Sequence, residues 1–94
     1  MPKLKPSEQE ERNRIVRACI AGNQERQGVD DSSLAKSLGV VQDTVRNKKK
    51  RPGTFTLSEL QTVSRVLKFS PIQAASIVLG RDLTITEIKD FILN

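Results

Sequence analysis

Residues that start and stop helices recur at short intervals along this chain, and they limit its fold more than any other feature. Ser7, Thr56 and Thr84 are each followed three residues later by glutamate, the capping-box pattern in which hydroxyl and carboxylate satisfy each other's backbone amides. Asp30 is a further cap, and Ser70-Pro71 pairs a cap with a first-turn proline. Gly28, Gly39 and Gly80 are natural C-terminal stops, and Pro52-Gly53 is a break. Between these marks, apolar residues fall at helical spacing, as in Ile15, Val16, Cys19 and Ile20, or Leu57, Leu60, Val63, Val66 and Leu67. Further on, Ile72, Ala75, Ile77, Val78 and Leu79 fill a fifth segment, and Leu83, Ile85, Ile88, Phe91 and Ile92 a sixth. Phe55-Thr-Leu57 and Leu83-Thr-Ile-Thr86 alternate over too few residues for a sheet, and both sit on caps. The expectation is an all-α chain of six helices.

The window Leu34-Ala-Lys-Ser-Leu-Gly-Val-Val-Gln-Asp-Thr-Val45 is more specific. Two helices crossing steeply over a tight turn need a small residue at the crossing, here Ala35. They need a turn residue that tolerates a left-handed backbone, here Gly39. They also need apolar residues just past the turn and inside the second helix, here Val40 and Val45, with Leu34 and Leu38 completing the core. Residues 31–50 therefore read as a helix-turn-helix.

Through Leu34, Ala35, Leu38, Gly39, Val40 and Val45, the chain resembles the Xre-type family of helix-turn-helix proteins, that of the lambdoid phage repressors and Cro. The likeness runs on through Leu57-Ser-Glu-Leu60 and Leu67-Lys-Phe-Ser-Pro71, covering about residues 10–80. It implies a five-helix lambda-repressor-like DNA-binding domain, here with an additional C-terminal helix at 84–94. The family lays its second motif helix in the major groove. By position that implicates Gln42, Asp43, Arg46 and Asn47 in base contacts, and the chemistry suits: amides pair with adenine, Arg with guanine, and Asp accepts from cytosine. For Gln42 and Asp43, a merely polar first helical turn is an equal alternative. Three positions depart from the family pattern. Val41 stands where a hydroxyl often caps the second helix, Asp31 where a glutamine often faces phosphate, and a lysine run replaces the usual loop.

That run, Lys48, Lys49, Lys50 and Arg51, follows the second motif helix and is assigned to phosphates, with the minor groove also open to Arg51. The segment 1–6 reads as a mobile basic arm whose Lys3 and Lys5 could add to it. The whole chain of 94 residues is expected to form a single domain with formal net charge +5, attractive to polyanions.

Enzyme function is disfavoured. The chain has no His, and its one Cys, Cys19, sits at a core-pattern position. Neither a metal nor a cofactor is expected. Three Phe and no Tyr or Trp leave little to stack single-stranded bases. No apolar run suggests a membrane span or leader, so a cytoplasmic protein is expected. The reading is a sequence-specific transcriptional regulator of double-stranded DNA, a phage- or mobile-element-type repressor. The alternative is an interaction module such as an antitoxin or antirepressor that binds a protein partner through its C-terminal helices. Ile85, Ile88, Phe91 and Ile92 supply either homodimer contacts or the completion of the core, and the sequence leaves both open.

Overall fold

The computed structural model describes residues 7–93, leaving out the side chain of Phe91. The basic arm with Lys3 and Lys5 lies outside the described residues, as does any contact by Phe91. The fold is all-α. The described residues form α1 (Glu8–Gln27), α2 (Asp31–Leu38), α3 (Gln42–Lys50), a 3₁₀ turn (Pro52–Thr54), α4 (Leu57–Val66), α5 (Pro71–Leu79) and α6 (Ile85–Leu93), with no strand.

The caps do much of this punctuation. Asp30 accepts from the Ser33 amide at 2.8 Å, and Thr56 and Glu59 close a complete capping box. A second complete box lies at Ser70 and Gln73, where the sequence suggested only a cap with proline. The boxes expected at Ser7 and Thr84 form only on the hydroxyl side. Glu10 turns instead to Arg17, and Glu87 to Arg81, because a guanidinium offers a carboxylate more than one backbone amide does. At the end of α2, Gly39 takes φ +71°, and the Val40 amide reaches back to the Ala35 carbonyl at 3.0 Å. A side chain at Gly39 would strain this left-handed turn, so the α2–α3 connection can stay at three residues.

The core gathers Val16 and Ile20 from α1, Leu34 and Ala35 from α2, Val45 from α3, Phe55, and Val63 and Leu67 from the α4 region. Ile20, Leu34, Val45, Val63 and Leu67 are fully buried. Each such aliphatic side chain contributes roughly 1.5–3 kcal/mol of transfer free energy. α2 packs on α3 and α4, while α1 runs behind them against α3, the 3₁₀ turn and α5. A buried polar joint holds α1 to the far end of α4. The Asn23 amide donates to the Leu67 carbonyl at 2.9 Å and to Gln73 Oε1 at 3.0 Å, and accepts from Gln73 Nε2 at 2.8 Å. Next to this joint, Lys68 adopts φ +54°, an uncommon conformation for a residue with a side chain.

Apolar stripes read from periodicity are only partly covered. On α4 and α5, Leu57, Val78 and Leu79 are exposed, although Val63 on the same α4 stripe is fully buried. Cys19 is half-buried rather than a core residue, and burial, followed by the charge of Asp82, pushes its thiol pKa up. α6 is amphipathic but lies largely uncovered, with Ile85, Ile92 and Leu93 exposed and Ile88 half-buried. Among the described residues, an Arg81–Glu87 ion pair joins its first turn to the α5–α6 connection, where the Leu83 amide donates to the buried Ser76 hydroxyl. Core completion by Ile85 and Ile92 is therefore not what the monomer shows.

Candidate functional site

α3 carries the residues singled out from sequence, and its orientation is set from behind. Val45 is fully buried and anchors the helix against α2. Helical spacing turns Asp43, Arg46, Asn47 and Lys50 away from Val45, while Gln42 lies in the open first turn on the Lys49 flank, and all five are exposed. Val41 caps the helix with backbone alone, so the first-turn amides carry no side-chain cap. Asp43 lies in that turn, where the helix dipole favours a carboxylate. It also accepts from Arg46 Nη1 at 3.0 Å.

The lysine run divides. Lys48, expected at phosphate, is turned inward. Its ammonium donates to Glu59 Oε1 at 3.0 Å and to the Thr54 carbonyl at 2.8 Å, and stands 5.8 Å from the Phe55 ring centroid. Its side chain is only 17% exposed. The reason is the pull of a half-buried carboxylate with two further partners for the same cation. The Thr56 amide and then Lys48 hold Glu59 below the usual carboxylate range. Lys48 is thus a strut between α3, the 3₁₀ turn and α4.

Lys49 is committed as well. Its Nζ donates to Asp31 Oδ1 at 2.8 Å, an oxygen that also accepts from Gln24 Nε2 at 2.8 Å. Arg46 Nε approaches the other carboxylate oxygen at 3.9 Å. Burial, the largest influence, raises the Asp31 pKa, but the Gln24 and Lys49 hydrogen bonds and the Lys49 and Arg46 charges outweigh it. The carboxyl therefore sits below its ordinary value. Sequence reasoning marked Asp31 as a departure from the family pattern, whereas in the structure it joins α1, α2 and α3. Lys50 and Arg51 remain exposed.

α1 adds a residue that the sequence did not mark. Arg17 pairs with Glu10 at 2.7 Å and reaches the Lys50 carbonyl at 3.4 Å, so its charge sits at the carbonyl end of α3. Arg17, Ala21, Arg46, Lys49 and Lys50 border an open hollow of about 330 Å³ between α1 and α3. The region can present amide, guanidinium and carboxylate groups on a rigid helix, flanked by cations. A separate apolar groove of about 300 Å³ runs between α4 and α5, bordered by Leu57, Leu60, Phe69, Ile77 and Val78. Ile85, Ile88 and Ile92 belong to neither feature.

Among the described residues, no group of three acidic, His or Cys side chains could hold a metal ion, and no helix is long and apolar enough to cross a membrane. The chain matches no family model, no curated protein and no solved structure.

Proposed function

We propose that the chain is a sequence-specific regulator of transcription that binds double-stranded DNA and acts as a repressor. α3 is its reading helix. The observation that carries this reading is the split of α3 into a fixed back and an exposed polar front. Val45, Lys48 and Lys49 tie the helix to three other elements, while Gln42, Asp43, Arg46 and Asn47 are exposed. Base discrimination needs polar groups held still, because each misplaced donor forfeits the 1–3 kcal/mol or so that a good base contact supplies. Lys50 and Arg51 at the end of the helix, with Arg17 beside them, supply the phosphate-facing charge. The Xre-type resemblance of residues 10–80 points the same way and brings with it a lambda-repressor-like arrangement.

Selection of bound duplexes from a random library, at near-physiological salt with competitor DNA, tests the proposal. Enrichment of a defined site is the expected result. Binding that enriches nothing and disappears as salt rises would reduce α3 to a charged surface.

The uncovered apolar residues of α6 favour homodimer formation, with two half-sites about one helical turn apart. Ile88→Glu with Ile92→Glu should then give a monomer by light scattering and lose binding to an inverted repeat. A double variant that keeps both its mass and its affinity excludes the dimer. A protein partner bound through the C-terminal helices, where α6 is uncovered, would fit the antitoxin-like alternative, and capture of such a partner without duplex selection would favour it.

A further inference from the structure

Asp31 stands where three helices meet, and its position makes little sense for a DNA-facing protein unless the charge has a use. It lies in the first turn of α2, beside the flank of α3, where an unpaired carboxylate would repel a phosphate strand. It is not unpaired. Gln24 from α1 and Lys49 from α3 both donate to Oδ1 at 2.8 Å, and Arg46 lies 3.9 Å from Oδ2. The carboxylate side chain is 20% exposed and that of Lys49 27%, so the pair is partly shielded from solvent. Such a pair is screened less than a surface contact, and its partners are held in one geometry.

We infer that Asp31 is a positioning and specificity residue: it straps Lys49 and Arg46 to the α1–α2 frame, fixing the reading helix and withholding Lys49 from the phosphate backbone. The inference rests on the DNA-binding reading above and deepens it. Its physical sense lies in the difference between affinity and discrimination. A cation free to grip any phosphate strengthens binding to every sequence equally, because phosphates carry no base identity. Tying Lys49 down removes that indiscriminate contribution. The same carboxylate limits the swing of Arg46, whose guanidinium is further fixed by Asp43 at 3.0 Å. The cost is weaker overall binding, and the gain is a larger ratio between the right site and the rest.

Asp31→Asn keeps the shape and removes the charge. Each additional phosphate contact steepens the log-log salt dependence by about 0.9, or roughly a 3-fold larger loss of affinity over a fourfold rise in salt. Asp31→Asn should therefore bind a random-sequence duplex more tightly at low salt, with a slope steeper by about 0.9, and should discriminate less well between selected and random duplexes. Lys49→Met in the wild-type background should leave the slope nearly unchanged. In the Asp31→Asn background it should cancel the gain. That non-additivity separates release of Lys49 from a general loss of negative charge, and Glu25→Gln, an exposed carboxylate on α1 away from the reading helix, serves as the charge control.

An unchanged slope in folded Asp31→Asn, or a slope reduced by Lys49→Met alone, overturns the strap. So does a gain in Asp31→Asn that survives Lys49→Met. A wild-type protein that fails to distinguish any selected duplex from random sequence would instead defeat the regulator reading. The strap is then still decided on the random duplex, where slope alone is read.

Discussion

Leu34→Ala should lower the unfolding free energy by about 2–5 kcal/mol, whereas Leu57→Ala should change it by less than about 0.5 kcal/mol. Both residues are leucines that sit on apolar helical stripes, so pattern alone would rank them together. The structure separates them: Leu34 is fully buried in the main cluster, and Leu57 is 71% exposed. Truncating Leu34 removes contacts with the layer that holds Val45 and leaves a cavity that short helices around a tight turn cannot close. Domains of this size hold only about 5–15 kcal/mol in reserve, so the upper end of the range would leave little folded protein at physiological temperature. Urea titration followed by circular dichroism checks the pair of variants. Equal losses at the two sites would mean that the Leu57 face is covered in solution, most directly by a second copy of the chain.

The contrast shows what the sequence could disclose. Helix starts and stops were legible because capping is local: Asp30, Thr56 and Gly39 act on amides and carbonyls within five residues of themselves. The α2–α3 unit was legible for the same reason, as a three-residue turn leaves few choices for Ala35, Gly39 and Val45. Coverage was not. Periodicity shows which residues share a helix face, and nothing in it shows whether that face meets a partner, so Val78 and Ile92 sit on apolar stripes yet stand 81% and 73% exposed. Asn23 failed in the opposite sense. It lies in a polar stretch, but its partners Leu67 and Gln73 are 44 and 50 residues away, and only the fold brings them together. The same distance hid the commitments of the lysine run. Four basic residues in a row look equivalent, until Glu59 and Asp31 take two of them out of service.

On the front of α3 the consequence is a pair of opposite phenotypes from neighbouring residues. Asn47→Ala, in the DNA-binding reading, should lose about 5- to 150-fold in affinity for the selected site, through one base position. Affinity for random duplex should hardly move. Lys50→Ala should weaken both duplexes alike and flatten the salt slope by about 0.9. Neither change should cost more than about 0.5 kcal/mol of stability, since both side chains are exposed and the described structure gives neither a hydrogen-bond partner or ion pair for its side chain. Any loss of binding can then be read as lost contact rather than lost fold. Arg46→Ala is less clean, because Arg46 also holds Asp43 and approaches Asp31. Its removal takes away a contact and frees the Asp43 carboxylate on the reading side, while Asp31 keeps Lys49 and Gln24, so the loss should exceed that of Asn47→Ala and should shrink when Asp43→Asn is added. Competition binding against selected and random duplexes at two salt concentrations measures all of these. Should Asn47→Ala weaken the two duplexes equally, Asn47 touches the backbone and base reading moves to Gln42 and Arg46. Should it weaken neither, the fixed helix with its exposed polar front serves some other partner, and the regulator reading falls with it.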